Sequence, residues 1–285
     1  MQHRVVPRAG RDILGEGPVW DSVRGELLWV DIVGQRLHRL DLAGGGIASL
    51  ELTEPIGWAL PRCTATSFIA GFKSGFHILD VDTGDRQLIG NPEADRPFNR
   101  LNDARVDPKG RIWAGSKHDL DDSATGALYR LDPSMTWRLC DDGYGVANGP
   151  AFSPDGRTMY HTDSALRTIF AFDLHDDGTL SGKRIWRRFD DDWGYPDGMT
   201  TDADGCLWIA HWGGGRISRF AADGTLVTSI SLPATNITSC AFAGERLDRL
   251  FVTSSTLDCE GETYAGALFE VDAGCIGLPA SRFAG

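Results

Sequence analysis

Four polar residues each open a short segment that runs to a turn glycine: Glu16 in "EGPVWDSVRG", Asn102 in "NDARVDPKG", Asn148 in "NGPAFSPDG" and Asp197 in "DGMTTDADG". In the last three the polar residue lies eight positions before the glycine (Gly110, Gly156, Gly205), and in the first it lies nine before Gly25. All four side chains offer an oxygen, and two are carboxylates. Two carboxylates offset a 2+ charge and two amide carbonyls complete an oxygen-rich half-shell, so the set suits a divalent cation. Ca²⁺, Mg²⁺ or Mn²⁺ match such donors, and Fe²⁺ and Zn²⁺ stay open. Four ligands from one side leave positions for water or substrate, as metal-assisted catalysis requires. Just upstream, "FNRLND" places Arg100 two residues before Asn102. Strand alternation sends both to the same face. A guanidinium there can donate to a polyhydroxylated substrate or to a developing oxyanion.

Such residues meet only if the chain brings equivalent positions to one place. After each turn comes an apolar run ("ELLWVDI", "RIWAGS", "RTMYHTD", "CLWIAHW") and then a third strand-like run ("QRLHRLDL", "GALYRLD", "TIFAFDL", "RISRFAA"). The four starts are 86, 46 and 49 residues apart, and 86 is close to two units. A degraded unit is therefore expected between the first two, and "TATSFIAGFKSGFHILDVDTG" (64–84) fits it. A sixth follows at 238–274. Units of this length with three or four strands are the period of propeller blades. The expectation is an all-β, six-bladed β-propeller of four-stranded blades, forming one domain over 1–285, with equivalent inner-strand residues meeting at a central channel. "HRVVP" at 3–7 is expected to pair with the last blade and close the ring. Trp29, Trp113 and Trp208 recur just after the turn glycines and are expected to pack between blades.

The chain has 285 residues, 41% of them apolar, with 35 glycines and 13 prolines punctuating short apolar runs. This favours strands and turns over helices. The net charge of −12 and the lack of a Lys/Arg cluster argue against nucleic acid as a partner. No apolar stretch is long enough to span a bilayer, and "MQHRVVPRAGRDILGEGPVW" has no apolar h-region. Six dispersed cysteines without a C-x-x-C pair read as free, mostly buried thiols. The expected location is the cytoplasm. No glycine fingerprint for a nucleotide is present.

The motifs "GEGPVWD", "NRLNDARVDPKGRIWAG", "NGPAFSPDG", "YPDGMTTDADGCLWIA" and "TSCAFAG…LFVTSS…AGALFEV" resemble those of the regucalcin/gluconolactonase family of six-bladed propellers, over nearly the whole chain. The resemblance implies metal-dependent hydrolysis of sugar lactones. It implies Glu16, Asn148 and Asp197 as metal ligands, Asn102 at metal and substrate, and Arg100 on the substrate hydroxyls. The partner is then a small sugar lactone, of pentose or hexose origin; the protein itself is expected to be a monomer or weak homodimer. Animal regucalcins carry a substrate-facing Glu in the loop after the third blade's "AG" strand, where this chain reads "SKHDLDD" (116–122). His118 or Asp119 is the candidate replacement.

On this reading the cation acts as a Lewis acid on the lactone carbonyl and lowers the pKa of a bound water, and Asp197 takes the water's proton. His161 and His211 follow strand-like runs and are structural candidates first. No G-x-S-x-G elbow is present. Two other readings use the same residues: a phosphotriesterase, and a non-catalytic calcium-binding regulatory propeller.

Overall fold

The computed structural model describes residues 3–64 and 66–285. Its strands form six four-stranded antiparallel sheets. The inner strands are Gly15–Asp21, Ile56–Pro61, Asn99–Val106, Ala147–Phe152, Tyr195–Thr201 and Ile237–Ala243, defining blades 1 to 6. Each inner strand touches those of the blades before and after it, and blade 6 touches blade 1, so the sheets form a ring. The protein is a six-bladed β-propeller.

Burial follows position within the blade. The inner strand Gly15–Asp21 is buried at every residue. The outer strands Ile47–Glu51 and Arg86–Gly90 are exposed or half-buried throughout and carry the charges. An inner strand is covered on both faces by its neighbours, so it tolerates continuous apolar or tightly partnered sequence. The ring closes as expected at its start: His3–Val5 is the outer strand of blade 6, pairing antiparallel with Phe269–Val271. Blade 2 corrects one boundary. The segment 64–84 supplies its second and third strands, Phe68–Phe72 and Gly75–Leu79, while its inner strand, Ile56–Pro61, lies earlier.

Trp29, Trp113 and Trp208 are fully buried. Their indole N–H groups donate to Asp12 (3.0 Å), Asp107 (2.8 Å) and Asp202 (3.0 Å). In blades 3 and 5 the Asp is the residue that opens the hairpin turn, so it ties turn, Trp and a nearby Arg together. All six cysteines are free, but only Cys206 and Cys240 are buried, and Cys63 is exposed. Among the described residues no helix is long and apolar enough to cross a membrane.

His161 and His211 are fully buried against aromatic rings, His161 on Tyr144 and His211 on Phe189 and Trp193. Burial lowers each pKa from 6.5 to about 3. The unfolded chain therefore binds protons at these rings between pH 6.5 and 3 where the native state does not. Stability should fall as pH drops through that window, by up to about 1.4 kcal/mol per pH unit per ring. Urea midpoints measured from pH 7 to 4 should show a shallower acid loss in His211→Leu than in the parent, and equal slopes would contradict this.

Candidate functional site

Every inner strand carries a register shift against its neighbour at the same level. The shifts lie at Glu16/Val19, Ile56/Trp58, Leu101/Ala104, Asn148/Ala151, Pro196/Met199 and Ile237/Cys240. A bulge breaks the two-residue alternation and re-aims side chains. Here it turns polar residues out of the blade and toward the axis. The glycines next to two of them explain themselves: Gly17 and Gly149 take φ of 54° and 78°, a left-handed backbone that suits the first residue of a bulge.

The bulges bring together Glu16, Asn102, Asn148 and Asp197, all buried. A chain of hydrogen bonds crosses three blades. Arg100 Nη1 donates to Asn102 Oδ1 (2.7 Å), and Asn102 Nδ2 donates to Asn148 Oδ1 and to the Ala147 carbonyl (both 2.8 Å). Asn148 Nδ2 donates to Ser164 Oγ (2.9 Å), which donates to the Pro196 carbonyl (2.6 Å), beside Asp197. The amides are thus held in one orientation, each oxygen keeping a lone pair for a further partner.

The carboxylates are not relaxed. Burial and then Asp103 push Glu16 up to about 8. Burial, Glu16 and Asp103 raise Asp197 well above the usual carboxylate range. Burial also raises Asp103. Desolvated acids that repel one another are stabilised in their charged form by a cation between them. Burial, Glu16 and Asp103 oppose the charged form of Asp197 and Lys117 partly offsets them, so a cation at this site would favour its ionisation. Among the described residues no group of three or more His, Cys, Asp or Glu side chains stands ready to hold a metal. A cation at this site would rely on the amide oxygens as well as on Glu16 and Asp197.

The two loop candidates part company. Asp119 Oδ1 lies 3.3 Å from Arg100 Nε, at the channel mouth, and its other oxygen pairs with Lys73. His118 pairs across the hairpin with Asn99, one residue off the Arg100 face. It packs on Phe98 and lies 3.0 Å from Asp122. Of the two candidate substrate ligands, Asp119 is the one that contacts Arg100.

Three residues join the site that the motif pattern did not single out. Asp103 accepts the N–H groups of Ala104 (2.8 Å) and Gly149 (2.9 Å), linking blades 3 and 4 beneath Asn102. Arg105 lies 3.4 Å from Asp103 Oδ1. Lys117 is the direct cross-strand partner of Arg100 and is buried. Counting across the hairpin around Gly110 would pair residue 117 with residue 101, and the bulge between Leu101 and Ala104 moves the pairing to Arg100.

With this geometry in place, the relatives are informative. The model of the SMP-30/Gluconolactonase/LRE-like region matches residues 14–256. The chain belongs to the SMP-30/gluconolactonase/LRE-like family. Among its family relatives, a 6-deoxy-6-sulfogluconolactonase of Pseudomonas putida is 37% identical over 282 residues, covering 96% of each chain. A pentonolactonase of Haloferax volcanii is 34% identical over 294 residues, covering 98% of this chain and 97% of its own. The SMP-30/gluconolactonase chain also superposes on the crystal structure of a calcium-binding protein, regucalcin, from Agrobacterium tumefaciens. There the TM-score is 0.92 at 27% identity, covering 98% of this chain and 96% of that one.

Proposed function

We propose that the protein is a sugar lactonase that opens the cyclic ester of an aldonic acid of pentose or hexose type in carbohydrate catabolism, with a divalent cation at the channel mouth. The observation that carries this reading is the convergence of Glu16, Asn148, Asp197 and Asn102 on one buried site beside Arg100. The named activities of the relatives in Pseudomonas and Haloferax support it. Glu16, Asn148 and Asp197 would hold the cation, with Asn102 beside it. Such an ion supplies Lewis acidity toward the lactone carbonyl and a lowered pKa for water.

The protein's own groups do the rest. Arg100 and Asn102, locked to each other, fix the ring hydroxyls and so the face of the ester presented for attack. Asp197 accepts the proton of the attacking water and returns it to the departing ring oxygen. Because the site is buried, these polar contacts act in a low dielectric, where they orient strongly. All six cysteines being free supports a reducing compartment, the cytoplasm.

Stripping the protein with a chelator should lower aldonolactone hydrolysis, followed as acid release, by about 100-fold or more, an effect of the size removed electrostatic stabilisers produce. Adding back Ca²⁺, Mn²⁺, Zn²⁺ or Fe²⁺ singly should restore it and identify the ion. A phosphotriesterase would turn over a phosphotriester in preference, and a purely regulatory propeller would bind calcium without turnover. Hydrolysis no faster than the spontaneous rate with every ion would overturn the lactonase reading.

A further inference from the structure

The channel mouth holds a pair of cations of which the hydrolysis reading uses only Arg100. Arg100 and Lys117 are direct cross-strand partners in blade 3, and both are buried. Like charges placed opposite one another on a sheet repel, and loss of water around them removes the screening that would relieve it. Burial and the facing Arg100 accordingly lower the Lys117 pKa. Lys117 is also within electrostatic reach of Asp197.

What offsets the repulsion comes from the loop that follows Lys117. Asp121 Oδ1 lies 2.5 Å from Lys117 Nζ, and Asp119 Oδ1 lies 3.3 Å from Arg100 Nε. These carboxylates are much more exposed than their partners: 49% for Asp121 against 11% for Lys117, and 32% for Asp119 against 8% for Arg100. Exposed carboxylates on a loop are exchangeable, whereas the cations are fixed on strands. Asp121 also takes a φ of 55°, a left-handed conformation uncommon for a residue other than glycine and tolerated best by Asn and Asp. The loop is bent so as to bring its acid inward.

We propose that Arg100 and Lys117 form a two-cation clamp for an anionic substituent of the substrate, with Asp119 and Asp121 holding that place until it arrives. The inference rests on the lactonase reading and narrows its substrate class. The substrate is a sugar lactone bearing a carboxylate, sulfonate or phosphate at the end remote from the ester carbonyl. The Nε/Nη2 edge of Arg100 takes two oxygens of such a group while Nη1 stays on Asn102, and the ammonium takes another. On binding, the Asp119 and Asp121 carboxylates release to solvent, so both buried cations stay compensated throughout.

The test compares D-glucono-δ-lactone with its 6-phosphate and with D-glucaro-1,4-lactone, which carries a carboxylate instead. The ratio of kcat/KM for anionic over neutral lactone should fall about ten- to hundredfold in Lys117→Met, the range that a lost hydrogen bond to a charged group produces. It should rise in Asp121→Asn, which removes the resident charge and suits the left-handed backbone. A ratio unchanged by both substitutions overturns the clamp. Asp121→Asn, at an exposed loop position, decides the matter if Lys117→Met does not fold. If no lactone is hydrolysed, the lactonase reading fails by itself. Calorimetry with gluconate against 6-phosphogluconate then decides the clamp: tighter binding of the phosphate that Lys117→Met abolishes supports it, and equal binding overturns it.

Discussion

An Asp197→Asn variant should lose about 10³-fold or more in kcat/KM on an aldonolactone while its metal-free form melts no lower than the parent. The two effects share one cause. Asp197 is buried beside Glu16 and Asp103, and all three carboxyls are pushed toward their neutral forms by desolvation, with Asp103 adding to it at Glu16, and Glu16 and Asp103 adding to it at Asp197. Replacing one with a neutral group of the same shape removes that conflict, so the fold loses nothing. On the proposed mechanism the reaction loses its proton acceptor, for which about 10²–10⁴-fold is the usual scale, and the proposed cation one anionic ligand in addition. Thermal melts with and without added Ca²⁺ separate these. The parent should gain stability with ion concentration, as any ligand that binds only the native state confers, and Asp197→Asn should gain little. A variant that keeps both its activity and its calcium-dependent gain would remove Asp197 from the site.

The second large effect concerns the scaffold. Asp107 is fully buried and accepts from Trp113 Nε1 (2.8 Å), Arg111 Nε (2.6 Å), and the N–H groups of Lys109 (2.9 Å) and Arg111 (3.0 Å). Asp107→Ala leaves a buried indole N–H and a mostly buried guanidinium without their acceptor. Breaking a buried pair from one side costs about 3–5 kcal/mol, which at this chain length lowers Tm by roughly 10 °C. Differential scanning calorimetry on the variant checks it, and a shift of only one or two degrees would show that solvent replaces the carboxylate. Asp202 accepts from Trp208 in the same way in blade 5, with Arg219 of the third strand as its arginine, and provides an independent repeat of the experiment.

How much was readable without coordinates depended on whether a signal was local. The repeat, the blade number and the meeting of Glu16, Asn102, Asn148 and Asp197 on one site follow from turn glycines at nearly constant spacing, because the hairpins of blades 1, 3, 4 and 5 are nearly the same length. Blade 2 was misplaced by its inner strand because Ile56, Gly57 and Trp58 fill the bulge there, with no polar residue to mark it. Asp103 carries no such signal, because strict alternation sends it away from Asn102 and the bulge between Leu101 and Ala104 suspends alternation at that point. The place of Lys117 and the different neighbours of His118 and Asp119 emerge only from the register of the hairpin, a pairing property rather than a motif. The proximity that raises the carboxyl pKa values is longer-range still, since Glu16, Asp103 and Asp197 come from three different blades.

The seam of the ring lies in blade 6, where His3–Val5 pairs with Phe269–Val271. A chain made from its N-terminal end therefore carries its first strand unpaired until almost all of the rest has emerged. Blades 1 to 5 can assemble in order as they appear, but joining the two ends closes a loop of nearly the whole chain, the slowest kind of contact to make. Until then blade 6 presents a bare sheet edge, open to pairing with another molecule. The vulnerable interval in the life of this protein is the wait before the ring closes, and growth temperature and expression rate should govern its soluble yield more strongly than the stability of the finished propeller does.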